Sequence, residues 1–192
     1  MLSTVVAVKE NGGRPVDLTR RLEQDTRLTP VLIDSDEGLG ILRHSAAHVM
    51  AEAVQALFPG VKVTIGPSIE NGFYYDFDYE QSFTPEDLPR IEARMKKIIK
   101  KGARFERTEM KREDAIRLFE ERGEPYKVEL LKDLDQDDVS VYRQGDFVDL
   151  CRGPHIPNAR MIRAFKIMSV AGAYWRGDEN RQRLQRIYGT AF

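Results

Sequence analysis

The sequence has 192 residues, of which 30 are Lys or Arg and 31 are Asp or Glu, and its formal net charge is -1. This length allows one large domain or two small ones, and 41% hydrophobic residues suffice for a buried core. No apolar run approaches the roughly 20 residues of a membrane-spanning helix, and the N-terminus lacks a basic start before an apolar stretch. We therefore expect a cytoplasmic protein with no membrane partner. A charge near zero restricts any nucleic-acid contact to a local basic patch.

The first 33 residues are predicted to form a small β-rich unit. Residues 4–9 and 31–33 have the composition of strands, and the Asn11-Gly12-Gly13 sequence is typical of a turn. About 30 residues are too few for an independent core. This unit therefore packs on the following residues or is the remainder of a larger module.

Three helices are predicted in the middle of the chain. The first runs from the acidic residues 34–37 to Phe58, where Pro59-Gly60 stops it. A β-hairpin around Asn71-Gly72 follows. The second helix has Thr84 as its cap and Pro85 at its first position, and it ends at Gly102. A short strand over residues 104–110 leads to the third helix, which Gly123 closes.

The C-terminal third is predicted to be rich in β-strands. The strand candidates, separated by Gly, Asp and Pro turns, are residues 126–131, 140–143, 147–150, 162–170 and 184–188. The separation of helices from strands along the chain favours an α+β fold, in which helices pack on an antiparallel sheet.

All three histidines and the single cysteine fall into two short motifs. His44 and His48 belong to HSAAH, and Cys151 and His155 belong to CRGPH. Residues four apart on a helix share one face, so both imidazoles of the first motif can point into one cleft. Gly153 and Pro154 bend the second motif into a loop. A lone cysteine excludes an intrachain disulfide and indicates a free thiol, a nucleophile or a metal ligand.

These four side chains are compatible with two kinds of site. Three imidazoles and one thiolate can bind zinc tetrahedrally, and a hydrolytic cleft can use the same groups as bases and hydrogen-bond partners. The spacing does not distinguish these uses. The sequence argues against a zincin protease, because HExxH requires Glu where this chain has Ser45.

The order and spacing of five longer motifs resemble the N-terminal editing region of bacterial-type threonyl-tRNA synthetases. These motifs are HSAAHVMAEAV, IGPSIENGFYYDF, RGEPYKVELL, FVDLCRGPHIP and AGAYWRGDENRQRLQRIYGTAF. The resemblance implies a partial, β-rich TGS-like segment over residues 1–33 and a tRNA-editing domain of the second-additional-domain type over residues 34–192. The chain ends where a catalytic domain would begin, which indicates a fragment rather than a free-standing protein.

The implied activity is proofreading hydrolysis of serine from mischarged tRNA for threonine. Serine lacks only one methyl group of threonine, and such a difference supplies only about 1–3 kcal/mol of discrimination in a synthetic site. A second site can admit the seryl ester and exclude the threonyl ester by its extra methyl group. The implied partners are the tRNA 3′ acceptor end and the catalytic and anticodon-binding domains of a full-length synthetase.

The resemblance also implies roles for individual residues. His44, His48, Cys151 and His155 would line the cleft. Asp149 would bind the seryl amine or position water, and Lys127, on the predicted strand 126–131, would orient water or stabilise the oxyanion. Tyr75 would stack on or hydrogen-bond the terminal adenosine. By their residue types alone, these last three could equally be an ion-pair partner, a solvated lysine and a core aromatic residue.

Metal binding and tRNA contacts stay open at this point. No cofactor is certain, although the related alanyl editing modules imply zinc at the four His and Cys positions. Two basic clusters stand out. Residues 94–104 are predicted to be an ordinary surface. The C-terminal cluster, which consists of Arg176, Arg181, Arg183 and Arg186, is predicted to contact tRNA, with Arg176 and Arg183 as the binding residues. The rival functions are an alanyl-type trans-editing deacylase and a non-catalytic, zinc-stabilised RNA-binding module.

Overall fold

The structure is a computed structural model, and it describes residues 4–192. Within this range the chain forms four α-helices and three antiparallel sheets. The helices are α1 (Asp36–Leu57), α2 (Asp87–Lys101), α3 (Arg112–Glu121) and α4 (Pro125–Lys132). The strands are β1 (Val5–Glu10), β2 (Pro15–Asp17), β3 (Leu28–Leu32), β4 (Lys62–Val63), β5 (Ser68–Ile69), β6 (Gly72–Asp78), β7 (Phe105–Lys111), β8 (Asp138–Gln144), β9 (Phe147–Leu150), β10 (Phe165–Tyr174) and β11 (Arg183–Ala191). Helices packed on antiparallel sheets confirm the predicted α+β class.

The three sheets follow one another along the chain, apart from the return of β10 and β11. The first has the order β2-β1-β3. The second has the order β10-β11-β6-β4, with β5 also paired to β6, and the third has the order β7-β8-β9. Helix α1 packs on the second sheet, on α2 and on β9, so it lies at the centre of the molecule.

Helix α1 begins and ends close to its predicted limits. The Ser35 side chain accepts a hydrogen bond from the Gly38 backbone N–H, as an N-cap does. Leu42, Val49 and Ala53, which recur at helical spacing, are fully buried. Almost every residue from 41 to 51 is buried, because α1 is covered by neighbours on most of its circumference.

The N-terminal sheet packs against α1 instead of standing alone. Val6, Ala7 and Val31 are buried in the same core as the central helix. Lys9 also forms an ion pair with Glu37 at the start of α1. The proposed division of the chain at residues 33 and 34 stays a prediction.

Two local predictions need correction. Helix α2 begins at Asp87 rather than Pro85, because residues 84–87 form a turn in which the Thr84 N–H and hydroxyl both donate to the Asp87 carboxylate. Residues 126–131 form α4, not a strand. The alternation of Tyr126, Val128 and Leu130 suggested a strand, but Pro125 begins a helix without losing a hydrogen bond.

The remaining strands lie where the pattern predicted them, with shifted ends. Strand β2 was missed, and its three residues begin with a proline. Across residues 4–192, none of the helices combines the length and apolar character that crossing a membrane requires.

Candidate active site

The two histidine-containing motifs meet in space. His44 and His48 project from α1, and Cys151 and His155 lie in the loop that follows β9. One nitrogen or sulfur atom from each of these four side chains lies within 4.8 Å of those of the others. His44 Nε2 is 3.0 Å from Cys151 Sγ, and Cys151 Sγ is 3.4 Å from His155 Nε2. The structure thus brings together the four side chains that were predicted to converge.

The CRGPH loop is held tightly by backbone contacts. The Cys151 N–H donates to the Ser140 carbonyl of the neighbouring strand, and the Gly153 N–H donates to Cys151 Sγ at 3.2 Å. Gly153 has a φ of +68°, and a Cβ atom there would lie 1.9 Å from the Tyr142 hydroxyl. Glycine is therefore required by both the backbone angle and the available space.

A second group of side chains lies beside this cluster. Lys127 donates from Nζ to the Thr64 carbonyl at 2.5 Å and to Tyr75 Oη at 3.1 Å, and it forms an ion pair with Asp149. Tyr75 in turn donates its hydroxyl proton to Asp149 at 2.7 Å. His48 Nε2 lies 3.4 Å from the same carboxylate. Asp149 thus connects the lysine, the tyrosine and the histidine cluster.

Burial favours the uncharged forms of the cluster. It lowers the pKa of His44, which the hydrogen bond to the Gly66 carbonyl partly offsets, and it holds the pKa values of His48 and His155 well below 6.5. Burial and the negative charge of Asp149 raise the pKa of the Cys151 thiol to about 12. At neutral pH the three imidazoles and the thiol are consequently neutral.

A cleft of about 630 Å³ opens onto part of this arrangement. Its walls include His44, His48, Lys127, Asp149 and Cys151. His155 lies behind them, with 1% of its surface exposed. A cleft of this size can hold a small-molecule ligand.

The other predicted residues lie outside the cleft wall. The Tyr75 ring is fully buried and reaches the site only through its hydroxyl, so stacking on adenosine stays a prediction. Arg176 pairs with Asp133 and Glu129, next to α4. Arg183 lies exposed at the start of β11. The tRNA contacts predicted for these two arginines also stay predictions.

Three contributors to the site were missed by the sequence reasoning. Ser45 Oγ lies 3.0 Å from His155 Nδ1, and the Gly66 carbonyl lies 3.2 Å from His44 Nδ1. The Thr64 carbonyl binds Lys127. Ser45 stands next to the first histidine of HSAAH, which is a weak signal, whereas backbone carbonyls carry no signal in residue type.

The four His and Cys side chains also fit a zinc ion. Zinc bonds of about 2.0–2.3 Å in a tetrahedron place the ligand atoms about 3.3–3.8 Å apart. The separations of 3.0 and 3.4 Å around Cys151 Sγ are close to that range. Three nitrogens and one sulfur are also a usual zinc ligand set.

Comparison with known proteins agrees with the motifs. Residues 139–188 match the family described as the threonyl and alanyl tRNA synthetase second additional domain. The threonine–tRNA ligase of Nitratidesulfovibrio vulgaris strain Miyazaki F is 61% identical over 98% of this chain and 29% of its own length. The corresponding values for the ligase of Oleidesulfovibrio alaskensis are 63%, 94% and 28%, and those for Geobacter sp. strain M21 are 58%, 94% and 28%.

The chain therefore spans less than a third of the length of these relatives. Within that part, the alignment with the first of these relatives covers nearly all residues of the chain, at 61% identity. By sequence, this chain is the counterpart of the N-terminal editing region of threonyl-tRNA synthetases.

Proposed function

We propose that this chain hydrolyses the ester bond between serine and the 3′-terminal adenosine of tRNA for threonine. The observation that carries the proposal is the meeting of His44, His48, Cys151 and the Lys127–Asp149 pair at one cleft. The relatives are named threonine–tRNA ligase, and this name indicates tRNA for threonine as the tRNA and threonine as the correct amino acid.

His44 is the imidazole best suited to accept a proton from water. A carbonyl oxygen can only accept, so the contact with Gly66 assigns the ring proton to Nδ1 and leaves the lone pair on Nε2. His44 is half-buried and lines the cleft, whereas His48 and His155 are almost fully buried. Its lowered pKa keeps the base form populated at neutral pH.

Lys127 and Asp149 have complementary tasks in this mechanism. Water attacks the ester carbonyl, the carbonyl oxygen gains negative charge, and the Lys127 ammonium stabilises that charge. The Asp149 carboxylate binds the ammonium group of serine. The C–O bond then breaks, and the ribose oxygen takes up the proton that the base received. The serine carboxyl group releases the second proton of the water to solvent, so serine leaves as the carboxylate.

A zinc ion would be held by His44, His48, Cys151 and His155. With all four ligands bound, a tetrahedral zinc has no open position, so it would fix the shape of the cleft. Zinc would also displace the thiol proton, and its affinity would consequently rise with pH. Elemental analysis of protein purified without added metal distinguishes zero from one zinc per chain.

The partners and the location follow from the proposed reaction. The cleft would receive the 3′ acceptor end of the tRNA, and the catalytic and anticodon-binding domains of a full-length synthetase would supply the mischarged substrate. A proofreading role would place the chain in the cytoplasm, where translation occurs.

The test is a deacylation assay with seryl-, threonyl- and alanyl-tRNA. We expect release of serine only. Release of alanine would indicate the alanyl-type deacylase, and binding without any release would indicate an RNA-binding module. In the metal-free protein, His44→Ala and His48→Ala should reduce hydrolysis at least 100-fold, since the first removes the base and the second removes the imidazole that contacts the Asp149 carboxylate. Lys97→Ala, on the exposed face of α2, is the control and should retain full activity. If both histidine variants unfold and the wild type carries one zinc, the four residues are structural.

A further inference from the structure

Asp17, at the end of β2, reaches across the molecule to the CRGPH loop. Its Oδ1 accepts a hydrogen bond from the His155 backbone N–H at 3.0 Å, and its Oδ2 accepts one from the Tyr142 hydroxyl at 2.5 Å. These partners are 138 and 125 residues away in sequence. The carboxylate is half-buried, and such charge-assisted hydrogen bonds are among the stronger ones in proteins.

Both partners of Asp17 control the placement of the His155 ring. The Tyr142 ring packs edge-on against His155 with 4.6 Å between centroids, and its hydroxyl occupies the space beside Gly153. The hydrogen bond to the His155 N–H fixes the backbone from which the imidazole projects. Asp17 therefore restrains the loop at two points.

The His155 ring in turn contacts one residue of each of the two motifs, CRGPH and HSAAH. Its Nε2 is 3.4 Å from Cys151 Sγ, and its Nδ1 is 3.0 Å from Ser45 Oγ on α1. Asp17 itself does not line the cleft. It lies in a separate groove on the other side of the loop, and Arg152 and Pro154 line both spaces.

We propose that Asp17 is a positioning residue for the cleft, so that the N-terminal sheet is a working part of the site. Asp17 touches neither the substrate nor the reacting atoms. It acts by holding the CRGPH loop so that His155 and Cys151 meet His44 and His48. The activity part of this proposal rests on the proposed function, whereas the structural part does not.

The first experiment reads the position of His155 without any tRNA. The chain has only three histidines, all in the cluster, so the imidazole region of a ¹H–¹⁵N NMR spectrum contains only their signals. We expect Asp17→Ala to shift the ring signals and the backbone amide signal of His155. Asp25→Asn is the control, because Asp25 is an exposed acidic residue of the same N-terminal segment. It should leave these signals in place.

The second experiment measures seryl-tRNA deacylation by the same variants. Asp17→Ala should lower kcat about 10- to 100-fold with KM within about twofold, because misplaced reacting groups slow the chemical step. Asp17→Asn keeps one oxygen that can accept from the His155 N–H, but it places an amide near the Tyr142 hydroxyl. It should therefore retain more activity than Asp17→Ala, and Asp25→Asn should retain all of it.

The outcomes separate this proposal from the proposed function. If the wild type does not release serine, the proposed function fails, and the NMR spectra still test Asp17. If the His155 signals stay in place in both Asp17 variants, the positioning role is overturned, whatever happens to kcat or to thermal stability. If Asp17→Ala does not fold, Asp17→Asn decides the question by the same spectra.

Discussion

Lys127 and Asp149 form an ion pair in the interior of the protein. Each of these side chains has at most 3% of its surface exposed. A charge at such depth is tolerated only with a partner and with its other hydrogen bonds satisfied. The Thr64 carbonyl and the Tyr75 hydroxyl satisfy those of the lysine.

Removing one member of this pair should be costly. We expect Lys127→Met to lower the free energy of unfolding by about 3–5 kcal/mol, because it leaves the Asp149 carboxylate buried without its counter-ion. The double variant with Asp149→Asn should lose less than the sum of the single losses. Urea denaturation measures all three. Lys111→Met is the control: both it and its partner Asp138 are largely exposed, so the change should be far smaller than that of Lys127→Met. Strictly additive losses would contradict this account of the pair.

The buried histidines predict a pH dependence of stability. Burial lowers the pKa values of His48 and His155, with neighbouring groups of the cluster adding to the effect, so the unfolded chain binds protons that the folded chain does not. The free energy of unfolding should consequently be highest above pH 6.5 and fall as the pH drops below it. The slope is at most about 1.4 kcal/mol per pH unit for each histidine.

Urea titrations in EDTA between pH 8 and pH 5 measure this slope. His155→Gln should reduce it, because one of the three histidines with a lowered pKa is removed. The comparison with the variant isolates the histidines from Glu52 and Glu124, whose pKa values burial raises and which act in the opposite sense. An unchanged slope in the variant would contradict the assignment.

Sequence reasoning at this scale succeeded for rare residue types and failed for common ones. Three histidines and one cysteine in two motifs predict a shared site, since little else explains their pairing. Asp17 is one of many acidic residues, and its contacts are with residues more than 120 positions away. No local pattern could reveal it.

Helix α1 is the element that sets the geometry of the site. It presents His44 and His48 on one face, and it lies close to strand β3 at its start. A Cβ atom at Gly38 would lie 1.9 Å from the Leu32 carbonyl oxygen, whereas at Gly40 it would meet no atom within 4 Å. Close packing against β3 therefore requires a glycine at position 38, whereas position 40 has space for a side chain.

The same substitution at these two glycines should have opposite effects. Gly38→Ala should lower the free energy of unfolding by about 1–3 kcal/mol, since the helix must move away from β3. Gly40→Ala should raise it by about 0.5–1 kcal/mol, because alanine loses less backbone entropy in a helix. Thermal or urea unfolding of the two variants measures the difference. A destabilised Gly40→Ala together with an unaffected Gly38→Ala would contradict this.

Helix α4 illustrates where reasoning about elements fails. Its buried residues are Tyr126, Lys127, Val128 and Leu131. The last three have the spacing of one helix face, but one of them is a lysine, so the apolar residues alone do not show this spacing. The apolar residues alternate by chance, so they suggested a strand. The long helix α1, with its cap and its stop signal, could be predicted almost to its ends because several signals agree there.

At the scale of the whole molecule, the net charge is close to zero, so any binding of tRNA phosphates depends on local groups of basic residues. Arg176 and Arg181 are neutralised by acidic residues of the α4 region, and Arg186 pairs with Asp76. Arg183 is exposed and forms no ion pair within residues 4–192. The four arginines of the C-terminal cluster therefore differ in what they can offer to a phosphate.

This difference predicts the salt dependence of tRNA binding. Arg183→Gln should weaken binding and reduce the slope of log affinity against log salt concentration by about 1, as the loss of one phosphate contact does. Arg176→Gln should reduce the slope by less than Arg183→Gln does, because the Arg176 guanidinium already pairs with Asp133. Filter binding at several salt concentrations measures both. Equal slopes for Arg183→Gln and the wild type would exclude the predicted contact.

The HSAAH and CRGPH motifs at the cleft lie more than a hundred residues apart in the sequence, so no single segment of the chain contains the whole set of side chains. Grafting the HSAAH helix onto a foreign scaffold would transfer two imidazoles without the thiol, the third imidazole or the ammonium group beside them. During synthesis on the ribosome, the first motif emerges long before the second and has nothing to act with. The proposed activity therefore requires the completed fold.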